Sequence, residues 1–193
     1  MLAAAARFSF ACVVCLPALP APARAAPERV GFTGDLSIGA SLTTRTVGSA
    51  SGGSNTVAVD ESSTVIEPGL APLGVSLGGY LTPRIGLLFR LAGTSYFRSD
   101  SQYIQAFAGP MVEYWPHDRW FLAGGVGLGL FTPNPFFGSS LRRQREGLAF
   151  DARAGAVLAA NPCHALTLSL EIIPAIYDEL RAGAALLVAW KWY

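Results

Sequence analysis

Charge is scarce in this chain. Asp, Glu, Lys and Arg make up 14% of its 193 residues, where soluble domains carry roughly a quarter. Neither sign dominates, with 14 Lys and Arg against 13 Asp and Glu, so there is no basic footprint for nucleic acid. Long apolar runs are missing too. Beyond the first thirty residues no uninterrupted run approaches the ~20 residues of a membrane-crossing helix. Cysteine is limited to Cys12, Cys15 and Cys163, and histidine to His117 and His164. The two histidines and Cys163, divided between the stretches 116–119 and 161–164, make no metal cluster. No serine accompanies either histidine at a spacing useful for nucleophilic catalysis. The glycines at 125, 127 and 129 lack the following helix and acid that a nucleotide loop needs. The expectation is therefore no catalytic residues, no cofactor and no metal.

What is abundant is apolar side chain: 51% of the residues are hydrophobic and the mean hydropathy is +0.38. High apolar content without long apolar runs is what alternation along strands produces. The first residues are a separate matter. Arg7, the apolar stretch 8–19 and the small-x-small Ala23-Arg24-Ala25 read as a secretory signal over residues 1–25. Cys12 and Cys15 would leave with it, so their spacing marks neither a redox nor a zinc site. Its removal takes Arg7 and Arg24 and no acid, leaving 12 of the 14 bases against 13 acids.

The end of the chain shows the alternation in compact form. Ala184, Leu186, Val188, Trp190 and Trp192 share one face; Gly183, Ala185, Leu187, Ala189, Lys191 and Tyr193 share the other. One face suits lipid and the other a polar interior. Residues 30–47 repeat the pattern, with Phe32, Leu36, Ile38 and Leu42 opposing Thr33, Asp35, Ser37, Ser41, Thr43 and Arg45. No amphipathic helix has this period. Six further strands follow. Over 69–81, Ala71, Leu73, Val75 and Leu77 point outward and Pro72, Gly74, Ser76 and Tyr80 inward, with Pro72 marking a bulge or an unpaired position. From 85, Leu87, Phe89 and Leu91 oppose Leu88, Arg90 and Thr94. Over 103–115, Ile104, Val112 and Tyr114 oppose Gln105, Phe107, Met111 and Glu113. From 120, Trp120, Leu122, Val126 and Leu128 oppose Ala123 and the three glycines. Over 148–160, Phe150, Ala154 and Leu158 oppose Asp151, Arg153 and Gly155, although the alanine content leaves a helix open there. Over 166–172, Leu166, Leu168, Leu170 and Ile172 oppose Thr167, Ser169 and Glu171.

The connections alternate in kind. Tight turns fall at 82–84, 116–119 and 161–164; loops fall at 48–64, 98–102, 133–147 and 174–181. Trp115, Trp120, Trp190 and Trp192 all lie at strand ends on the turn side, where interface aromatics belong. Phe97, Phe131 and Phe150 are placed for an opposite girdle. This pattern of eight strands, turns and aromatics over residues 26–193 resembles the small eight-stranded outer-membrane β-barrels of the OmpA/OmpX type. The resemblance implies an all-β, antiparallel up-and-down transmembrane barrel in the outer membrane of a Gram-negative bacterium. It also implies outer-membrane lipids, lipopolysaccharide and the outer-membrane assembly machinery as partners. That machinery reads a terminal aromatic, here Trp192 or Tyr193. A monomer is expected.

Parity then sends Asp35, Arg90, Glu113, Asp151, Arg153, Glu171 and Lys191 into a lumen that an eight-stranded barrel fills with side chains. Near-balance of sign points to pairing, with Arg153, Glu171 and Arg90 in one network. A plugged lumen makes the protein structural or surface-binding; exchangeable partners would make it a narrow channel. Lipid A-modifying enzymes exist among such barrels, but the residues for one are missing. A soluble lipocalin-like carrier would invert the parity and put Arg153 and Glu171 outside. Arg142, Arg143 and Arg145 form a basic loop tip that either contacts lipopolysaccharide phosphates or stays solvated.

Overall fold

Period-two alternation runs along most of the chain's strands, and successive strands are joined end to end. The computed structural model describes residues 29–47, 63–98, 101–133, 145–177 and 180–193. The strands are β1 (Gly31–Val47), β2 (Ser63–Thr82), β3 (Ile85–Arg98), β4 (Ser101–His117), β5 (Trp120–Pro133), β6 (Arg145–Ala160), β7 (His164–Ile176) and β8 (Leu180–Trp192). Each pairs antiparallel with the next, and β8 returns to β1, closing the barrel. Closure leaves no sheet edge along the paired wall, so backbone groups are satisfied without water. Even the shortest strands have 13 residues, more than the roughly 9–11 a tilted membrane strand requires.

The outer face is apolar: Leu36, Ile38, Leu77, Leu87, Phe89, Leu122, Leu128, Leu170 and Leu186 are all exposed. In water an apolar surface this extensive drives association; against hydrocarbon it is the stable arrangement. Asp35, Arg90, Glu113, Asp151, Arg153, Glu171 and Lys191 are all buried on the inner face. The expected parity thus holds along most of the wall, and β6 is a strand despite its alanines.

Two expectations about β2 need correction. The strand begins at Ser63, so the polar stretch 48–64 ends earlier than its composition suggested, because β-branched Thr64, Val65 and Ile66 pair on to Thr44, Arg45 and Thr46. Ala71 faces inward, packed with Ala185 and Leu187, rather than outward. The register slips between Ser37 and Gly39 opposite β2, and again between Leu70 and Val75 opposite β3. Pro72 and Leu73 are consequently both exposed, and the extra residue reverses parity on one side of the bulge.

The strands β4, β7 and β8 also run further toward the loop end than their apolar cores indicated, leaving only residues 99–100 between β3 and β4 and 177–179 between β7 and β8. The segment 1–28, with Cys12 and Cys15, lies outside the described residues, as do Arg142 and Arg143.

Candidate functional site

The inward faces of six strands build one charged network. Asp35 on β1, Arg90 on β3, Glu113 on β4, Asp151 and Arg153 on β6, Glu171 on β7 and Lys191 on β8 all project into the lumen. Arg90 is the hub, with no solvent exposure. Its guanidinium lies 2.6 Å from Glu171 Oε1, 3.2 Å from Asp151 Oδ2 and 3.4 Å from Asp35 Oδ1. It also donates to Ser76 Oγ at 2.9 Å and Ser37 Oγ at 3.3 Å. The planar fork of arginine suits this many-sided role; a lysine would offer one compact charge. Asp35 carries the network onward to Arg153, whose Nη1 donates to both carboxylate oxygens at 3.3 Å. Arg153 Nε donates to Ser169 Oγ at 2.9 Å. Arg153 and Glu171 are cross-strand partners, and Arg90 and Asp35 join them into one cluster. The side chains of Asp35 and Arg90 come together although they lie 55 residues apart.

A second cluster sits nearer the turn end. Lys191 donates to both oxygens of Glu113 and lies 3.9 Å from Asp35, linking the two clusters. Glu113 Oε1 also accepts from Tyr80 Oη at 2.6 Å and Trp115 Nε1 at 2.8 Å. A buried carboxylate is tolerable here because donors surround it. Tyr80 was expected inside, but its part in this cluster was not.

Trp115 was expected at the membrane interface and is instead 1% exposed inside the barrel. It shares parity with Met111 and Glu113, so alternation along β4 carries it inward past the strand end where its position suggested lipid. Its ring packs 5.1 Å from Phe121, another inward residue. Gly155 makes room for Phe121, since a Cβ there would collide with the ring. Trp120, 60% exposed, and Trp190 do face outward, while Trp192 is partly buried against Gly34. Phe131 likewise turns inward, whereas Phe97 and Phe150 are exposed.

Toward the loop end the filling changes. Ala92, Phe107, Ala149, Ile173 and Ala175 form an apolar cluster with Tyr177 against it. Tyr96, Tyr103 and Phe131 stack in series at 5.0 and 6.0 Å, and the Arg181 guanidinium lies 4.1 Å above Phe131. Burial pushes the Tyr177 hydroxyl up to about 12. Arg145 is exposed at the start of β6. His117 Nδ1 accepts from the Arg119 amide at 3.3 Å, and the His164 ring packs on Trp190 at 5.2 Å. Among the described residues no group of three or more His, Cys, Asp or Glu is placed to hold a metal ion.

A closed, even-stranded barrel with a hydrocarbon-compatible exterior and an ionic interior is the architecture of a transmembrane β-barrel. Solved outer-membrane proteins share it. Neisserial surface protein A (NspA) aligns with a TM-score of 0.56 and 12% identity over 84% of this chain and 96% of its own. Ail, the attachment invasion locus protein of Yersinia pestis, solved in complex with the heparin analogue sucrose octasulfate, aligns with a TM-score of 0.50 and 16% identity over 84% of this chain and 99% of its own. The chain therefore has the fold of the small eight-stranded outer-membrane barrels, the OmpA/OmpX-like architecture. In sequence, no family model and no curated protein matches it.

Proposed function

We propose that this is a non-enzymatic envelope protein of the outer membrane of a Gram-negative bacterium, structural or surface-binding in role, with a lumen plugged by its own ions. The observation that carries the reading is the continuity of the network from Glu113 through Lys191 and Asp35 to Arg90, Arg153, Asp151 and Glu171. Conduction would require buried charges to exchange partners, and unpairing a buried charge is costly. The apolar exterior supports lipid as the immediate partner, and the terminal strand supports delivery by the outer-membrane assembly machinery. Lipopolysaccharide is the proposed contact of the basic stretch that includes exposed Arg145. The heparin analogue bound by Ail belongs to Ail; a shared fold does not carry a ligand with it.

Planar-bilayer recording of the purified, folded protein tests the plug. A silent bilayer is the expected result. Discrete conductance steps would replace this reading with that of a narrow channel for small solutes.

A further inference from the structure

The residues just before the barrel wall bend across its mouth. Gly31, the first residue of β1, has φ +81°, in the region that only glycine enters freely. A Cβ there would meet nothing within 4 Å, so it is the backbone bend, not crowding, that calls for glycine. The bend leaves Val30 exposed and turns Arg29 inward, where it is buried. The Arg29 guanidinium lies 3.7 Å from the centre of the Trp115 ring. Nη2 donates to the Asp118 carbonyl at 2.7 Å, on the turn between β4 and β5. Nη1 is 3.7 Å from the Asp118 carboxylate. Beyond the ring, Trp115 Nε1 reaches Glu113, and Lys191 Nζ lies 5.5 Å from the same ring. Among the described residues, Arg29 is the outermost layer of a stack whose inner layers are the ionic lumen.

We infer that residues 29–31 form a hinged lid over the turn end of the lumen, with Gly31 as hinge and Arg29 as latch, controlling entry of water and small solutes to the Glu113–Lys191 pair. Arg29 and Val30 precede the ladder, whose first pair is Gly31 with Tyr80. The lid therefore opens without breaking a strand pairing, at the low end of the stability range within the fold. Asp118 is largely exposed, so the ion pair contributes little. The grip comes from the cation on the ring and the charged hydrogen bond. The inference concerns the mouth of the barrel and stands whether or not the protein conducts.

Two measurements on the full-length folded chain test it. Trypsin cuts after arginine only when the side chain is released. Cleavage at the 29–30 bond, followed by intact mass, is expected to be slow in the unsubstituted protein. Gly31→Ala disfavours the bend without a steric clash, and is expected to speed that cut by about tenfold or more, the factor matching the strain of a side chain in the left-handed region. The second measurement is acrylamide quenching of Trp115 in a background where Trp120, Trp190 and Trp192 are Phe. Arg29→Ala is expected to raise the quenching constant toward that of an open indole. Equal cutting rates with and without Gly31→Ala, or quenching unchanged by Arg29→Ala, would overturn the lid, provided gel mobility before boiling shows a folded barrel. Should one variant fail to fold, the other measurement alone decides.

Discussion

The two ends of the lumen are lined by side chains of the same inward parity and are filled by opposite means. Toward the turns, Arg90, Asp35, Arg153, Lys191 and Glu113 hold one another by directed ionic contacts between strands remote in sequence. Toward the loops, Phe107 and Ile173 pack among Ala92, Ala149 and Ala175 with no ion in the cluster. Both fillings satisfy the same inward parity. The difference is in how each responds to change. An ionic filling fails abruptly, because removing one member strands its partners without water. An apolar filling loses contact in proportion to the volume removed. The charged end thus fixes which strands sit where, and the apolar end supplies bulk.

Removing the hub breaks this contrast most severely. Arg90→Ala strands Asp151 and Glu171 in the lumen, takes one of three cationic partners from Asp35, and is expected to cost about 3–5 kcal/mol, the range for a broken buried pair. Urea titration of the protein refolded into lipid vesicles, read by gel mobility before boiling, measures it. Adding Glu171→Gln to Arg90→Ala should cost less than the sum of the two single changes, since it removes a charge already unpaired. Full additivity would mean that Arg90 and Glu171 are independent and that the network is only apparent.

The two tryptophans beside one turn sharpen the contrast between lumen and wall. Trp115→Phe keeps an aromatic ring but loses the donor to Glu113 and Tyr80, and is expected to cost about 1.5–3 kcal/mol, as for a hydrogen bond to a charged group. Trp120→Phe changes an exposed residue and should stay within about 0.5 kcal/mol. The same vesicle titration compares them. Equal costs would return Trp115 to the interface where its position at a strand end suggested it belonged.

That misplacement shows what alternation can and cannot tell. Period two assigns a side, and it did so along most of the wall because one face must meet hydrocarbon throughout. Applied strictly along β4, it would have turned Trp115 inward with Glu113. Ala71 was beyond its reach: Pro72 signalled an irregular strand, but not which side of the bulge would change parity. Partners within the lumen were legible as a balance of sign and as the expected grouping of Arg90, Arg153 and Glu171 in one network. That Asp35 bridges Arg90 and Arg153 depends on barrel closure and strand stagger, which no local spacing encodes. Arg29 left no periodic trace, because it precedes the first strand. The apolar filling at the loop end was half legible, since Phe107 and Met111 read as inward while Ile173 lay just past the expected end of its strand.

Ile173 gives the gentlest probe of the comparison. It is buried among Phe107 and three alanines, so its loss is not cushioned by a long flexible neighbour. Ile173→Val removes one methylene and is expected to cost about 0.5–1.5 kcal/mol in the vesicle titration. A matching trim at the charged end, Glu171→Asp, also removes one methylene, but it draws the carboxylate back from an Arg90 contact of 2.6 Å. Hydrogen bonds weaken steeply once distance and angle degrade, so the ionic trim should cost more than the apolar one. If the two trims cost the same, the lumen is a uniform packing in which sign and direction of charge hold nothing in particular.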